Sequence, residues 1–139
     1  MRFNELTATE QDALQAARYI SLETFRRDGR GVATPVWCAW HAGEIWVFTA
    51  ADAGKAKRVR GRARSTVARC DVRGGDVGPR VETQARIVTD AHEERAAYAA
   101  LRARYGWQMW VTDLGSRLTN RIDRRAMIAL RLVDGAAGP

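Results

Sequence analysis

The stretch from Tyr19 to Thr49, YISLETFRRDGRGVATPVWCAWHAGEIWVFT, decides the fold. From Tyr19 to Glu23 the apolar residues alternate, Ile20 then Leu22, with the period of a strand that buries one face. RRDGR follows, and its Asp-Gly pair is a tight-hairpin signal because glycine accepts the positive φ such turns need. The return segment GVATPVWCAW is rich in β-formers and reads as one long strand. Pro35 inside it has no N–H to give a ladder, which predicts an edge strand or a side turned toward something other than another strand. HAGE makes the next turn and EIWVFT the third strand.

Beyond Thr49, the segment AADAGKAKRVRG places Ala56, Val59 and Ala63 on one helical face and Lys55, Arg58 and Arg62 on another, the pattern of a short basic helix. STVARCDV and RVETQARIVTD read as two strands around the loop RGGDVGP. In the first, Thr66, Ala68, Cys70 and Val72 alternate with Val67, Arg69 and Asp71, and Gly74 with Gly75 reads as a turn rather than a phosphate loop. Asp90 and Glu93 have capping-box spacing for a helix HEERAAYAALRARYG that ends at Gly106. WQMWVTDLGSRLTNRID is ambiguous and leans to helix, and RRAMIALRLV closes the chain as a strand with Ile128, Leu130 and Leu132 on one face. Toward the N-terminus, Thr7 and Glu10 form a second capping-box pair, opening a helix through about Ala17 whose apolar face is thin. Six strands in meander order with short flanking helices predict an antiparallel β-barrel of the α+β class. A parallel doubly wound sheet would need a helix after nearly every strand.

At 139 residues the expectation is a single domain, residues 1–139, and 46% hydrophobic with 28% charged residues is a globular composition. No stretch approaches the roughly 20 apolar residues of a membrane span, and the first residues lack the apolar core and cleavage site of a signal peptide. The expected location is therefore cytoplasmic. Cys38 and Cys70 each fall in a strand-like run and read as buried free thiols.

The formal net charge of +7 favours anionic partners, and six of the ten residues from Lys55 to Arg64 are cations. A phosphate at the start of this helix would meet unpaired N–H groups and the positive end of the helix dipole, with Lys55 and Arg58 adding formal charge and Gly54 letting the backbone come close. Lys57, Arg60, Arg62 and Arg64 read as a solvated basic face able to steer an anionic tail. No Ser-His-Asp arrangement, carboxylate pair or metal-ligand cluster can be read, and His41 and His92 fall at a turn and in a helix's first turn.

The succession YISLETFRRDGRGVATPVWCAW, EIWVFTAADAGKAKRVRGR, VARCDVRG resembles the split β-barrel flavin and deazaflavin oxidoreductases related to pyridoxamine 5'-phosphate oxidase, most closely their coenzyme F420 branch. The resemblance implies a six-stranded antiparallel split β-barrel, a homodimer with sites at the subunit boundary, and hydride transfer to a small conjugated or aromatic substrate. It matches Thr49, Lys55 and Arg58 to phosphate-binding places, while Ala53 stands where the family usually has Ser and Gly54 where the oxidases proper have Arg. Thr34, Pro35, Val36 and Trp37 resemble the segment beside the tricyclic ring. The two departures favour F420 over FMN, since a longer acidic tail can also reach Lys57 and Arg60. Two other readings stay open: a protein that binds a flavin or other planar ligand without turnover, and a single-stranded nucleic-acid module using the basic helix with flanking tryptophans.

Overall fold

The computed structural model describes residues 1–50, 54–105 and 125–133. The elements are α1 (Ala8–Ala16), β1 (Tyr19–Phe25), β2 (Gly31–Trp37), β3 (Ala39–His41), β4 (Glu44–Ala50), α2 (Gly54–Gly61), β5 (Arg64–Cys70), β6 (Val81–Ile87), α3 (Ala91–Tyr105) and β7 (Arg125–Leu132). The expected helix over WQMWVTDLGSRLTNRID and the cap at Gly106 lie outside the described residues.

The strands form one seven-stranded sheet in the order β2-β1-β5-β6-β7-β4-β3, every neighbouring pair antiparallel. This corrects the meander of six. The long return strand is cut at Cys38 into β2 and β3, which become the two opposite edges of the sheet. A single residue joins those edges, and two peptide units span at most about 7 Å, so the sheet must curl until its edges meet. The physical cause of the cut is Tyr105. Its hydroxyl accepts the Cys38 N–H at 2.9 Å and lies 2.9 Å from the Cys38 carbonyl and 2.6 Å from that of Arg18, so α3 takes the backbone partners a ladder would have used. Pro35 does sit in an edge strand, as its missing donor requires.

Alternation then sorts the core into two layers. Ile20, Leu22, Ile45, Val47, Val67, Val81, Ile128 and Leu130 fill the barrel, joined by Leu14 of α1 and Val59 of α2. The intervening residues Trp46, Met127 and Ala129 face outward and are covered by Ala97, Leu101 and Tyr105 of α3. Both faces of β7 are therefore buried, which is why RRAMIALRLV is nearly continuously apolar. β5 is likewise covered on both faces from Ser65 to Ala68, while Val72 lies beyond the strand and Ala63 beyond α2, both exposed.

The helix starts follow the capping logic. The Thr7 hydroxyl accepts the Glu10 N–H at 3.1 Å and the Glu10 carboxylate accepts the Thr7 N–H at 2.9 Å, a complete capping box. At α3 the Asp90 carboxylate accepts the His92 and Glu93 N–H groups at 2.7 and 3.1 Å. The Glu93 carboxylate does not return the bond. It pairs instead with Arg86 at 2.9 Å, beside Glu44, because a guanidinium is a stronger partner than one exposed N–H. Arg26 N–H to the Arg30 carbonyl and Gly29 at φ +91° close the β1–β2 turn, as Asp-Gly predicts. Cys38 is buried and Cys70 half-buried, both free.

Candidate functional site

α2 follows β4 in the chain and lies against β1, β4 and β6. Ala56 and Val59 are buried, so the helix is pinned by one apolar face and its cations are forced to the rim. Lys55 and Arg58, three apart, lie on the same side and are both half-buried, whereas Lys57 and Arg60 are exposed.

Arg58 is held by β1. Its Nε donates to the Thr24 hydroxyl at 2.6 Å, and Thr24 is 0% exposed. The guanidinium folds back over the helix start: a Cβ built on Gly54 would lie 2.7 Å from Arg58 Nη1. The backbone there is bare, and the charge occupies the space a side chain would fill. Burial, then the Arg58 charge, pulls the Lys55 ammonium below its ordinary range. Burial, then Arg26, does the same to Arg58. Among the described residues no carboxylate pairs with Lys55, Arg58 or Arg26. An uncompensated cluster of like charges at a helix N-terminus is relieved by an anion.

The threonines of β1, β2 and β4 stand on the side of the sheet that faces the barrel. Thr24 continues the inward row of Ile20 and Leu22, and Thr49 that of Ile45 and Val47 at the end of β4 that leads into α2. Thr34 pairs with Leu22 and so lies on the same face, diagonal to Thr24. The buried Thr34 hydroxyl has no hydrogen-bond partner among the described residues; Trp40 Nε1, beside Phe3, is in the same condition. A buried hydroxyl without a partner costs about 1–3 kcal/mol, which a ligand donor or acceptor would recover.

The pleat divides the four residues expected beside a ring. Thr34 and Val36 face inward with Leu22 and Ile20, while Pro35 and Trp37 face outward with Ser21 and Tyr19. Trp37 stacks on Tyr105, centroids 4.6 Å and planes 13° apart, and pairs with Tyr19, about 17 Å along β1 from Thr24 at ~3.4 Å per residue. The side chains of Pro35 and Trp37 therefore stand on the opposite face of β2 from Thr34 and Val36.

Two arginines missing from the sequence reading complete the basic rim. Arg26 and Arg27 of the β1–β2 turn face Lys57, Arg58, Arg60 and Arg62 across an open groove of about 680 Å³, with Phe25 in its lining. Arg62 donates to the Arg27 carbonyl at 2.9 Å, and Arg64 lies 4.3 Å over the Phe25 ring while pairing with Glu82 at 2.9 Å. These two arginines are exposed but engaged, tying α2 and β5 to the hairpin. The double arginine in RRDGR was visible, but its meeting with α2 depends on β1 packing against that helix. His41 and His92 are both exposed.

A curled antiparallel sheet with short flanking helices is the architecture of the split-barrel class. The chain belongs to the pyridoxamine 5'-phosphate oxidase family, whose model matches residues 6–136. Solved structures share the fold. A conserved hypothetical protein from Mycobacterium tuberculosis matches at 23% identity with TM-score 0.70, covering 93% of this chain and 82% of that one. An F420 reductase matches at 16% identity with TM-score 0.60, covering 93% and 97%. The heme storage protein HutZ from Vibrio cholerae matches at 12% identity with TM-score 0.68, covering 97% and 93%. No curated protein matches the chain. Among the described residues no helix is long and apolar enough to cross a membrane, and no cluster of three His, Cys, Asp or Glu side chains is placed to hold a metal.

Proposed function

We propose that the protein is an oxidoreductase that binds coenzyme F420, or alternatively FMN, and transfers a hydride to a small conjugated or aromatic substrate. The observation that carries this reading is the placing of Lys55 and Arg58 together at the start of α2, with no carboxylate partner among the described residues and with the Arg58 guanidinium beside Gly54. A phosphate fits that cradle by charge and by the helix dipole. Family membership and the fold shared with an F420 reductase support the cofactor class. Thr34 supplies its unpartnered hydroxyl and Val36 apolar surface toward the ring, and Thr49 lines the approach to the helix. Pro35 and Trp37 act through the backbone of β2 and through packing. Bound cofactor supplies the hydride and solvent the balancing proton, so the protein's work is binding, orientation and exclusion of water.

F420 is preferred because its acidic tail extends past the phosphate and can reach Lys57 and Arg60 on the groove wall. The working assembly is a cytoplasmic homodimer with the ring near the subunit boundary. Binding without turnover is the second reading, favoured by the fold shared with a heme storage protein. The test is a spectroscopic titration of the purified protein with F420 and FMN, followed by steady-state reduction of a panel of conjugated acceptors. Tighter F420 binding with turnover supports the proposal; tight binding without turnover on any acceptor supports carriage. Affinity for single-stranded DNA in place of either cofactor overturns both.

A further inference from the structure

We infer that Thr24 is a positioning residue for the anion cradle: it holds Arg58 by Nε so that the guanidinium's Nη groups lie over the bare start of α2 at Gly54. The inference rests on the cofactor reading above and extends it to a residue that touches no ligand. Three observations converge. The Thr24 hydroxyl is 2.6 Å from Arg58 Nε and is completely buried, so its orientation is fixed by the barrel rather than by solvent. Arg58 Nη1 stands 2.7 Å from where a Gly54 Cβ would be, so the fork lies beside the first residue of the helix. Arg26 of the adjoining turn repels that fork, and no described carboxylate draws it in.

An arginine on a helix rim has many rotamers and ordinarily spreads its charge into water. Committing Nε to Thr24 removes most of that freedom. It leaves both Nη groups as a preset fork for two oxygens of one phosphate. Threonine suits the task because its branched Cβ restricts χ1 in a strand, and the methyl stays in the core while the hydroxyl meets Arg58. Gly54 is the complementary half of the device, since any side chain there would contend with the guanidinium for the same volume.

The test compares FMN with riboflavin, which carries the same ring without the phosphate, by fluorescence titration of the full chain. Thr24→Val keeps the buried shape and removes the hydroxyl, and should weaken FMN binding roughly three- to tenfold while leaving riboflavin binding unchanged. Thr24→Ser should restore most of the loss. In an Arg58→Ala background Thr24→Val should have no further effect, because the two act as one unit. An equal loss for FMN and riboflavin, a full second loss in the Arg58→Ala background, or no rescue by serine overturns the positioning role. If Thr24→Val is silent while Arg58→Ala and Lys55→Ala weaken FMN, the inference fails and the cradle stands; if those two alanine variants are silent as well, the cradle itself is wrong.

Discussion

The Tyr105 hydroxyl accepts the buried Cys38 N–H at 2.9 Å, and through that bond the last turn of α3 sets where β2 ends and β3 begins. The same ring stacks on Trp37 and closes the barrel's seam.

Two groups at this seam resist ionisation. Burial pushes the Tyr105 phenol from about 10 to about 12 and the Cys38 thiol from about 9 to about 11. A group whose folded pKa lies above its unfolded value contributes stability that is whole below the unfolded pKa and lost as pH climbs toward the folded one. Urea midpoints should therefore be insensitive to these groups below pH 9 and fall between about pH 9 and 12. Tyr105→Phe should remove the upper part of that fall. It should also cost about 1–3 kcal/mol at neutral pH by stranding the Cys38 N–H.

Lys55→Ala and Arg58→Ala should each weaken FMN or F420 binding by roughly ten- to a hundredfold, the cost of one charged donor to a partly buried phosphate. Arg62→Ala and Arg64→Ala should change affinity by about a few tenths of a kcal/mol, because exposed guanidinium contacts contribute little and these two serve the hairpin and Glu82. Isothermal titration across the six variants from Lys55 to Arg64 checks this. An even loss spread over all six, with the salt slope dropping by about one unit per charge removed, would identify a nucleic-acid groove instead.

Gly54→Ala should separate stability from binding. The atom in the way is the mobile end of Arg58, so the fold can yield, and alanine gives up less backbone entropy on folding than glycine, by about 0.4–1 kcal/mol. Thermal stability should hold or rise while FMN affinity falls, as the displaced guanidinium leaves the helix start. A variant that melts higher and binds FMN as tightly as the parent would show that the guanidinium's place over Gly54 is irrelevant to binding.

Ala42 turns the β3–β4 hairpin with φ +53° beside Gly43 at +77°, a left-handed pair that favours Asn-Gly over Ala-Gly. Ala42→Asn should raise the unfolding free energy by about 0.5–1 kcal/mol in chemical denaturation, with FMN binding unchanged.

What was legible in the sequence is what neighbouring residues decide among themselves. Thr7 with Glu10, the Asp28–Gly29 turn, Pro35 at an edge, the buried pair Ala56 and Val59 under a basic helix, and the alternation of Ile128 with Leu130 all rest on local rules of capping, φ and period. The resemblance of the strand–turn–helix run around Thr49, Lys55 and Arg58 pointed to the family on the same local ground. Strand order was not legible, because β1 pairs with β5 and β4 with β7 across long separations, where many registers satisfy the same alternation. Tertiary structure alone cut the return strand at Cys38, since the group that satisfies its N–H comes from α3. It alone turned Trp37 toward Tyr105 and left Thr34 inward with a hydroxyl that has no partner among the described residues, because a pleat sends successive side chains to opposite faces. And it alone set Thr24, Arg26 and Arg27 beside Arg58, since a group more than thirty residues away in sequence becomes a neighbour only when a buried strand carries it there.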